Sequence, residues 1–241
     1  VVSPGNSPCK VTWAFRLNLP AGEEYTLGRP DLELSSAVLA GAGTVEAGGT
    51  SARVGKHDSF FLPGGQQACV RADTDLIVYI GGGPAEGVGR FFVRHFDPTV
   101  PVGEIHQVHG QPPYRRTVWM CAAPTDQASR LITGLTWGDD GGWTSWPPHQ
   151  HSRDLEEIYW YFDLPAPGFA LHLSYTQPGC LEAVHPVRSG DVVLVPEGYH
   201  PTVAAPGFRS SYFWIMSAHC RASRRYDLSV PDPGFAGGGE L

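Results

Sequence analysis

Residues 143–165 read WTSWPPHQHSRDLEEIYWYFDLP, with two histidines one residue apart and two adjacent glutamates soon after. On an extended chain, residues i and i+2 point the same way, so His149 and His151 can aim both imidazoles at one point. The prolines ahead of them favour that extended path, because a residue before proline avoids the helical region. After the turn SRDL, the run EEIYWYF reads as a strand. It puts Glu157, Tyr159 and Tyr161 on one face and Glu156, Ile158, Trp160 and Phe162 on the other. A third histidine, His200, follows the later segment DVVLVPEGY. A histidine pair alone arises by chance, but three imidazoles with one carboxylate make a complete divalent-metal set. Such ligands suit Mn, Fe, Ni, Co or Zn and leave two positions open on a six-coordinate ion. The parity that Glu157 shares with two tyrosines favours it as the carboxylate, with Glu156 as the alternative.

The elements that must position these groups are short β runs bounded by Gly, Pro and Asp. VTWAFRLNL, LELSSAVLAG, GTVEAGG, SFFLP, LIVYIGG, RRTVWMCAA, LITGLTW, FALHLSYTQ, DVVLVP and SYFWIMSA all fit this pattern. Long helices are absent; PTDQASRLI has room for one turn and SAHCRASRRYDL for two. Glycine (30) and proline (22) are scattered without period through 241 residues, which indicates many turns and not disorder. The expectation is an all-β protein of sandwich or barrel type, as one large domain or two of about 100–120 residues.

Charge and composition exclude several functions. The net charge is −7 and no basic stripe runs through the chain, so no nucleic-acid partner is expected. Apolar runs are too short for a transmembrane helix, so no membrane is expected either. Lys10 and Arg16 interrupt the apolar start, which does not read as a signal peptide, and the opening on Val1 suggests a trimmed start. Cys9, Cys69, Cys121, Cys180 and Cys220 are odd in number and lack a CxxC pair. They read as incidental thiols of a cytoplasmic protein.

The chain also looks internally duplicated. SARVGKHDSFFLPGGQQACV (residues 51–70) matches HPVRSGDVVLVPEGYHPTV (residues 185–203) in its order of turn, Asp, apolar strand, Pro and Gly, which sets Gln67 opposite His200. LELSSAVLAGAG sits upstream of the first copy as LEEIYWYFDLPAPG sits upstream of the second. The Pro- and Gly-rich segment 96–113 reads as the linker between them.

Gly142, His149, His151 and Glu157, followed by Gly190, Pro196, Gly198 and His200, resemble the two cupin motifs, the second one residue shorter than usual. SWPPHQH, LEEIYWYF, GDVVLVPEGYHPTVAAPG and YFWIMSA are similar to the 5-deoxy-glucuronate isomerases of myo-inositol catabolism. EIYWYFDLP and ALHL look like the related 5-keto-4-deoxyuronate isomerases of pectin breakdown. The resemblance implies two cupin (jelly-roll) barrels in tandem, a bicupin. Residues 1–100 would form a degenerate barrel and residues 101–241 a barrel holding a divalent metal ion (Zn, Mn, Fe or Ni) on His149, His151, Glu157 and His200. It implies aldose–ketose isomerisation of a deoxy-uronic acid, most simply 5-deoxy-D-glucuronate to 2-deoxy-5-keto-D-gluconate. The loop SRDL is shorter than in the inositol enzymes, so the pectin-derived uronate stays open, as does a cupin dioxygenase. His172, Tyr159 and Tyr161 are the candidate proton-handling groups. Arg115 or Arg116, which face opposite ways on a strand, is the candidate for the substrate carboxylate, ahead of Arg153 and Arg188. Edge strands of such barrels suit a homo-oligomer. The closing DPGFAGGGEL reads as flexible.

Overall fold

The computed structural model describes residues 1–235. The first half carries β1 (Trp13–Leu19), β2 (Glu24–Leu27), β3 (Leu32–Ala40), β4 (Gly43–Ala47), β5 (Thr50–Val54), β6 (Ser59–Leu62), β7 (Ala68–Ala72), β8 (Leu76–Pro84) and β9 (Phe92–Arg94). The second carries β10 (His106–His109), β11 (Arg116–Ala122), β12 (Leu131–Gly138), β13 (Trp143–Thr144), β14 (His149–Gln150), β15 (Leu155–Tyr161) and β16 (Ala170–Ser174). It continues with β17 (Ala183–Val187), β18 (Val192–Val195), β19 (Thr202–Ala204), β20 (Ser211–Ala218) and β21 (Val230–Pro231). Helical structure among the described residues is confined to single 3-10 turns, two of them at Arg221–Ser223 and Tyr226–Leu228, within the segment expected to turn. No helix there is long and apolar enough to cross a membrane. The segment 124–132 forms no helix and runs directly into β12.

Sheet order repeats between the halves. β1-β8-β3-β6 of the first large sheet corresponds to β12-β20-β15-β18 of the second. β2-β7-β4-β5 corresponds to β13-β19-β16-β17. Every named pairing is antiparallel, as jelly-roll barrels require. The segment expected to be a linker is a correction in part: its residues 106–109 form β10, which extends the second large sheet beside β11.

Four of the five sheets stack, with the two large ones innermost. One core, including Leu34, Val45, Phe60 and Ile80, fills the first barrel. A second, including Ala37, Tyr79, Trp119, Trp160 and Ile215, lies between the large sheets. A third, including Tyr159, Tyr161, Trp214 and Met216, lines the second barrel. Central strands are thus covered on both faces, which is why LELSSAVLA, LEEIYWY and SYFWIMSA are buried almost throughout. A strand of the outer sheet such as β4 buries only alternate residues.

Two carboxylates cross between the halves at matching places in the repeat. Glu33 on β3 accepts the backbone N–H groups of Ser129, Arg130 and Leu131 at 2.6–2.7 Å. Glu156 on β15 accepts those of Lys10 (2.8 Å) and Val11, together with the Thr12 hydroxyl at 3.0 Å. Each is almost completely buried, so these donors replace the water that the charge gives up. Tyr79 stacks on Trp160 across the same junction at 4.2 Å.

The halves differ where it matters for chemistry. Only residues 28–31 separate β2 from β3, whereas residues 145–154 separate β13 from β15. The histidine-bearing segment is missing from the first barrel, whose interior is filled with hydrocarbon. Gln67 is exposed.

Candidate metal centre and cavity

His149 lies on β14, held in place by antiparallel pairing with β21 of the C-terminal segment. That segment is pinned by buried Asp232, which accepts from the Tyr175 hydroxyl and Gly179 N–H at 2.9 Å, while its own N–H donates to Pro148 O. His151 follows just before β15. His200 precedes β19, delivered by a tight turn at Gly198. There φ is +91°, and a Cβ would sit 2.6 Å from Tyr175 O, so only glycine fits.

Each imidazole is tethered through Nδ1 to a main-chain carbonyl. His149 donates to Pro147 O at 2.9 Å, His151 to Leu155 O at 3.1 Å and His200 to Gly198 O at 2.9 Å. This fixes the Nδ1–H tautomer in all three and leaves three Nε2 lone pairs for a ligand. One ring nitrogen from each lies within 4.8 Å of the others. Glu157 Oε2 is 3.1 Å from His151 Nε2 and 3.3 Å from His200 Nε2. His200 Nε2 is fully buried yet makes no aligned hydrogen bond. An orphaned buried acceptor facing a carboxylate and two further imidazoles is what a divalent ion would satisfy, and the donor set fits Zn, Mn, Fe or Ni.

The electrostatics agree. Burial alone would raise the Glu157 carboxyl, but the His151 and His200 rings set against it hold it down at about 2. Burial, then His200 and His151, push His149 down to about 3. The carboxylate is therefore charged and that imidazole neutral at pH 7, as metal ligands must be. Burial lowers His151 too, but Glu157 beside it outweighs this and raises it. A cation would take the place of that proton.

The centre opens into a cavity of about 430 Å³, sized for a small molecule. Its wall includes His149, Glu157 and Tyr159 at one side and Arg116 and Val118 of β11 at another. Tyr212, Trp214 and Met216 of β20 lie between, and Tyr226, Asp227 and Ser229 of the C-terminal segment complete the lining. The Tyr159 hydroxyl donates to Ser145 Oγ at 3.2 Å, and Trp214 Nε1 donates to Thr136 Oγ1 at 3.0 Å. Gly134 makes room for the indole, since a Cβ there would meet it at 2.5 Å.

The residues expected from sequence separate into two groups. His149, His151, Glu157 and His200 come together. Glu156 points the other way, into the junction between the barrels. Arg116 is inward and nearly buried, its Nη1 donating to Trp146 O at 3.0 Å. Arg115 is a correction: strand alternation sends it outward, where it pairs with Asp139 at 2.9 Å. Tyr159 lines the cavity, but His172 and Tyr161 lie behind its wall. Tyr161 accepts from His172 Nδ1 at 2.8 Å and donates to Thr202 Oγ1 at 3.2 Å. Burial and then His200 push His172 down to about 3, and its buried Nε2 has no partner. Sequence reasoning missed Tyr212, Trp214 and Met216, although the period-2 parity of SYFWIMSA marks them as one face. It also missed Tyr226 and Asp227, for which the sequence carries no comparable signal. Of the tail expected to be flexible, residues 232–235 are anchored through Asp232; residues 236–241 lie outside the described residues.

Comparison with known proteins bears on this arrangement. The chain is 30% identical over 243 residues to the 5-deoxy-glucuronate isomerase of Lacticaseibacillus casei, covering 91% of this chain and 86% of that one. It is 31% identical over 170 residues to that of Geobacillus kaustophilus, a match spanning 68% of this chain and 60% of the relative. The crystal structure of an IolB-like protein from Salmonella typhimurium LT2 superposes with a TM-score of 0.81 at 29% identity, covering 91% of this chain and 88% of that one. Oxalate decarboxylase from Bacillus subtilis superposes with a TM-score of 0.60 at 14% identity, covering 92% and 71% respectively. That likeness shows the fold alone, which is the cupin fold. The KduI/IolB family model matches residues 1–229, and the chain belongs to that family, whose members matched here are isomerases.

Proposed function

We propose that this protein is a metal-dependent aldose–ketose isomerase of deoxy-uronic acids, acting on 5-deoxy-D-glucuronate to give 2-deoxy-5-keto-D-gluconate. The observation that carries this reading is one cavity that joins a metal-ready cluster to a nearly buried arginine. The cluster is three histidines and one glutamate on β14, β15 and the β18–β19 turn, and the arginine lies on β11 of the same large sheet as β15. His149, His151, Glu157 and His200 would hold the ion. Bound there, a divalent ion supplies Lewis-acid polarisation of a carbonyl and its neighbouring hydroxyl.

The chain's own groups bind and orient the substrate around it. Arg116 receives the substrate carboxylate as a charge-assisted pair. Burial and then the charge of Glu157 keep the Tyr159 phenol well above its ordinary range, so it stays protonated and donates to oxygen instead of abstracting a proton. His172 and Tyr161 are positioning residues: the His172 ring packs edge-on against Tyr159 at 4.9 Å and fixes its direction. Tyr226 and Asp227 add to the cavity wall and would limit the entry of water. We assign the chemistry to residues 101–241 and treat residues 1–100 as a supporting barrel without metal. Five free cysteines suit a reducing compartment, and we place the protein in the cytoplasm.

The test is elemental analysis of the purified protein together with NMR of 5-deoxy-D-glucuronate in its presence. Bound metal with ketose appearing supports the reading. Metal with turnover of only the pectin-derived uronate would move the substrate, and oxygen consumption would move the reaction class. No metal after reconstitution would overturn the reading.

A further inference from the structure

Val118 lies two residues from Arg116 on β11, so both side chains leave the same face of the strand. It is 2% exposed and forms part of the cavity wall beside Arg116. Its cross-strand neighbour is Thr136, whose hydroxyl oxygen is engaged by Trp214 Nε1. Tyr212 and Tyr226 line the same cavity as Arg116. A carboxylate seated on Arg116 would bring its neighbouring carbon to the stretch of wall that Val118 supplies.

We infer that Val118 is the residue that reads the missing hydroxyl of the substrate, resting on the proposed function above. In 5-deoxy-glucuronate the carbon attached to the carboxylate is a methylene. In glucuronate the same carbon bears a hydroxyl, which would be desolvated against the Val118 methyl groups. A hydrocarbon wall rejects an added hydroxyl by about ten- to hundredfold and no more. The preference should therefore lie in that range, and it should depend on the polarity of this one side chain.

The experiment compares kcat/KM of the metal-loaded full chain on 5-deoxy-D-glucuronate and D-glucuronate, for the unmodified protein, Val118→Thr and Val118→Ile. Threonine keeps the shape and adds a hydroxyl at the contact. It should cut the preference about tenfold, chiefly by raising activity on glucuronate. Isoleucine adds only hydrocarbon and should keep or widen the preference even where both rates fall. Metal content and thermal melting confirm that each variant is folded. An unchanged ratio in Val118→Thr, or no preference in the unmodified protein, overturns the inference while leaving the isomerase reading intact. If the threonine variant does not fold, Val118→Ile decides alone, and a narrowed preference there is the contrary result. An unmodified protein that turns over neither acid overturns the function and this inference together.

Discussion

Replacing Glu156 with glutamine, alongside the same change at Glu157, separates two adjacent carboxylates that the structure gives opposite tasks. Glu156 Oε1 accepts from Lys10 and Val11 N–H and from Thr12 Oγ1, and its Oε2 also accepts from Lys10. Glutamine keeps one oxygen, loses the charge and turns an NH2 group toward the Lys10 donor. Charge-assisted bonds are worth about 1.5–3 kcal/mol and neutral ones about 0.5–1.5 kcal/mol. Weakening two or three of them costs about 2–3 kcal/mol. For a chain of this size that lowers the melting temperature by about 5–10 °C. No metal ligand is touched, so metal content should equal that of the unmodified protein. Glu157→Gln should behave in the opposite way, losing metal because its anionic oxygen faces both His151 and His200. The assay is calorimetry with elemental analysis on both variants after identical reconstitution. Metal loss in Glu156→Gln, or full metal in Glu157→Gln, would refute the reasoning.

Other perturbations probe the same geometry. His149→Ala or His200→Ala should remove the metal while circular dichroism still reports a β fold, and Gln67→Ala should leave metal content unchanged; retained metal in either histidine variant would break the ligand assignment. Arg116→Gln should lower kcat/KM on the uronate about ten- to hundredfold through the lost charged pair, whereas Arg115→Gln, exposed beside Asp139, should leave it nearly unchanged. His172 titrates near 3 when folded against about 6.5 unfolded, so its contribution is complete above pH 6.5 and is lost as the pH falls below it. At pH 5 the part of the loss due to His172 is about 2 kcal/mol, measured as the difference between the unmodified protein and His172→Asn in urea unfolding of the chelator-treated proteins at pH 7.5 and 5, because His149, also held near 3, contributes to both. A His172→Asn variant with the same pH-dependent loss would show that another group is responsible.

Much of this protein is legible one strand at a time. Short apolar, aromatic-rich runs and Gly and Pro punctuation mark β3, β15 and β20 without any tertiary knowledge, and parity alone ranks Glu157 above Glu156. The spacing of His149 and His151 announces a ligand pair because extended geometry is local. The matching of LEL with LEE also reveals the duplication, though not its consequence. That Glu33 and Glu156 each reach across to cap the other half depends on the two large sheets packing face to face, a contact between residues more than ninety positions apart.

The order of residues by itself determined the β architecture, the repeat and the four metal-ligand candidates, since each follows from backbone geometry over a few residues. The tertiary structure decided which arginine faces the cavity and that His172 lies behind its wall. It also decided that the C-terminal segment contributes to the cavity wall and that Val118 is the neighbour of Arg116 on that wall. Those outcomes depend on how sheets curl and stack, and so on packing between distant segments that no local period encodes.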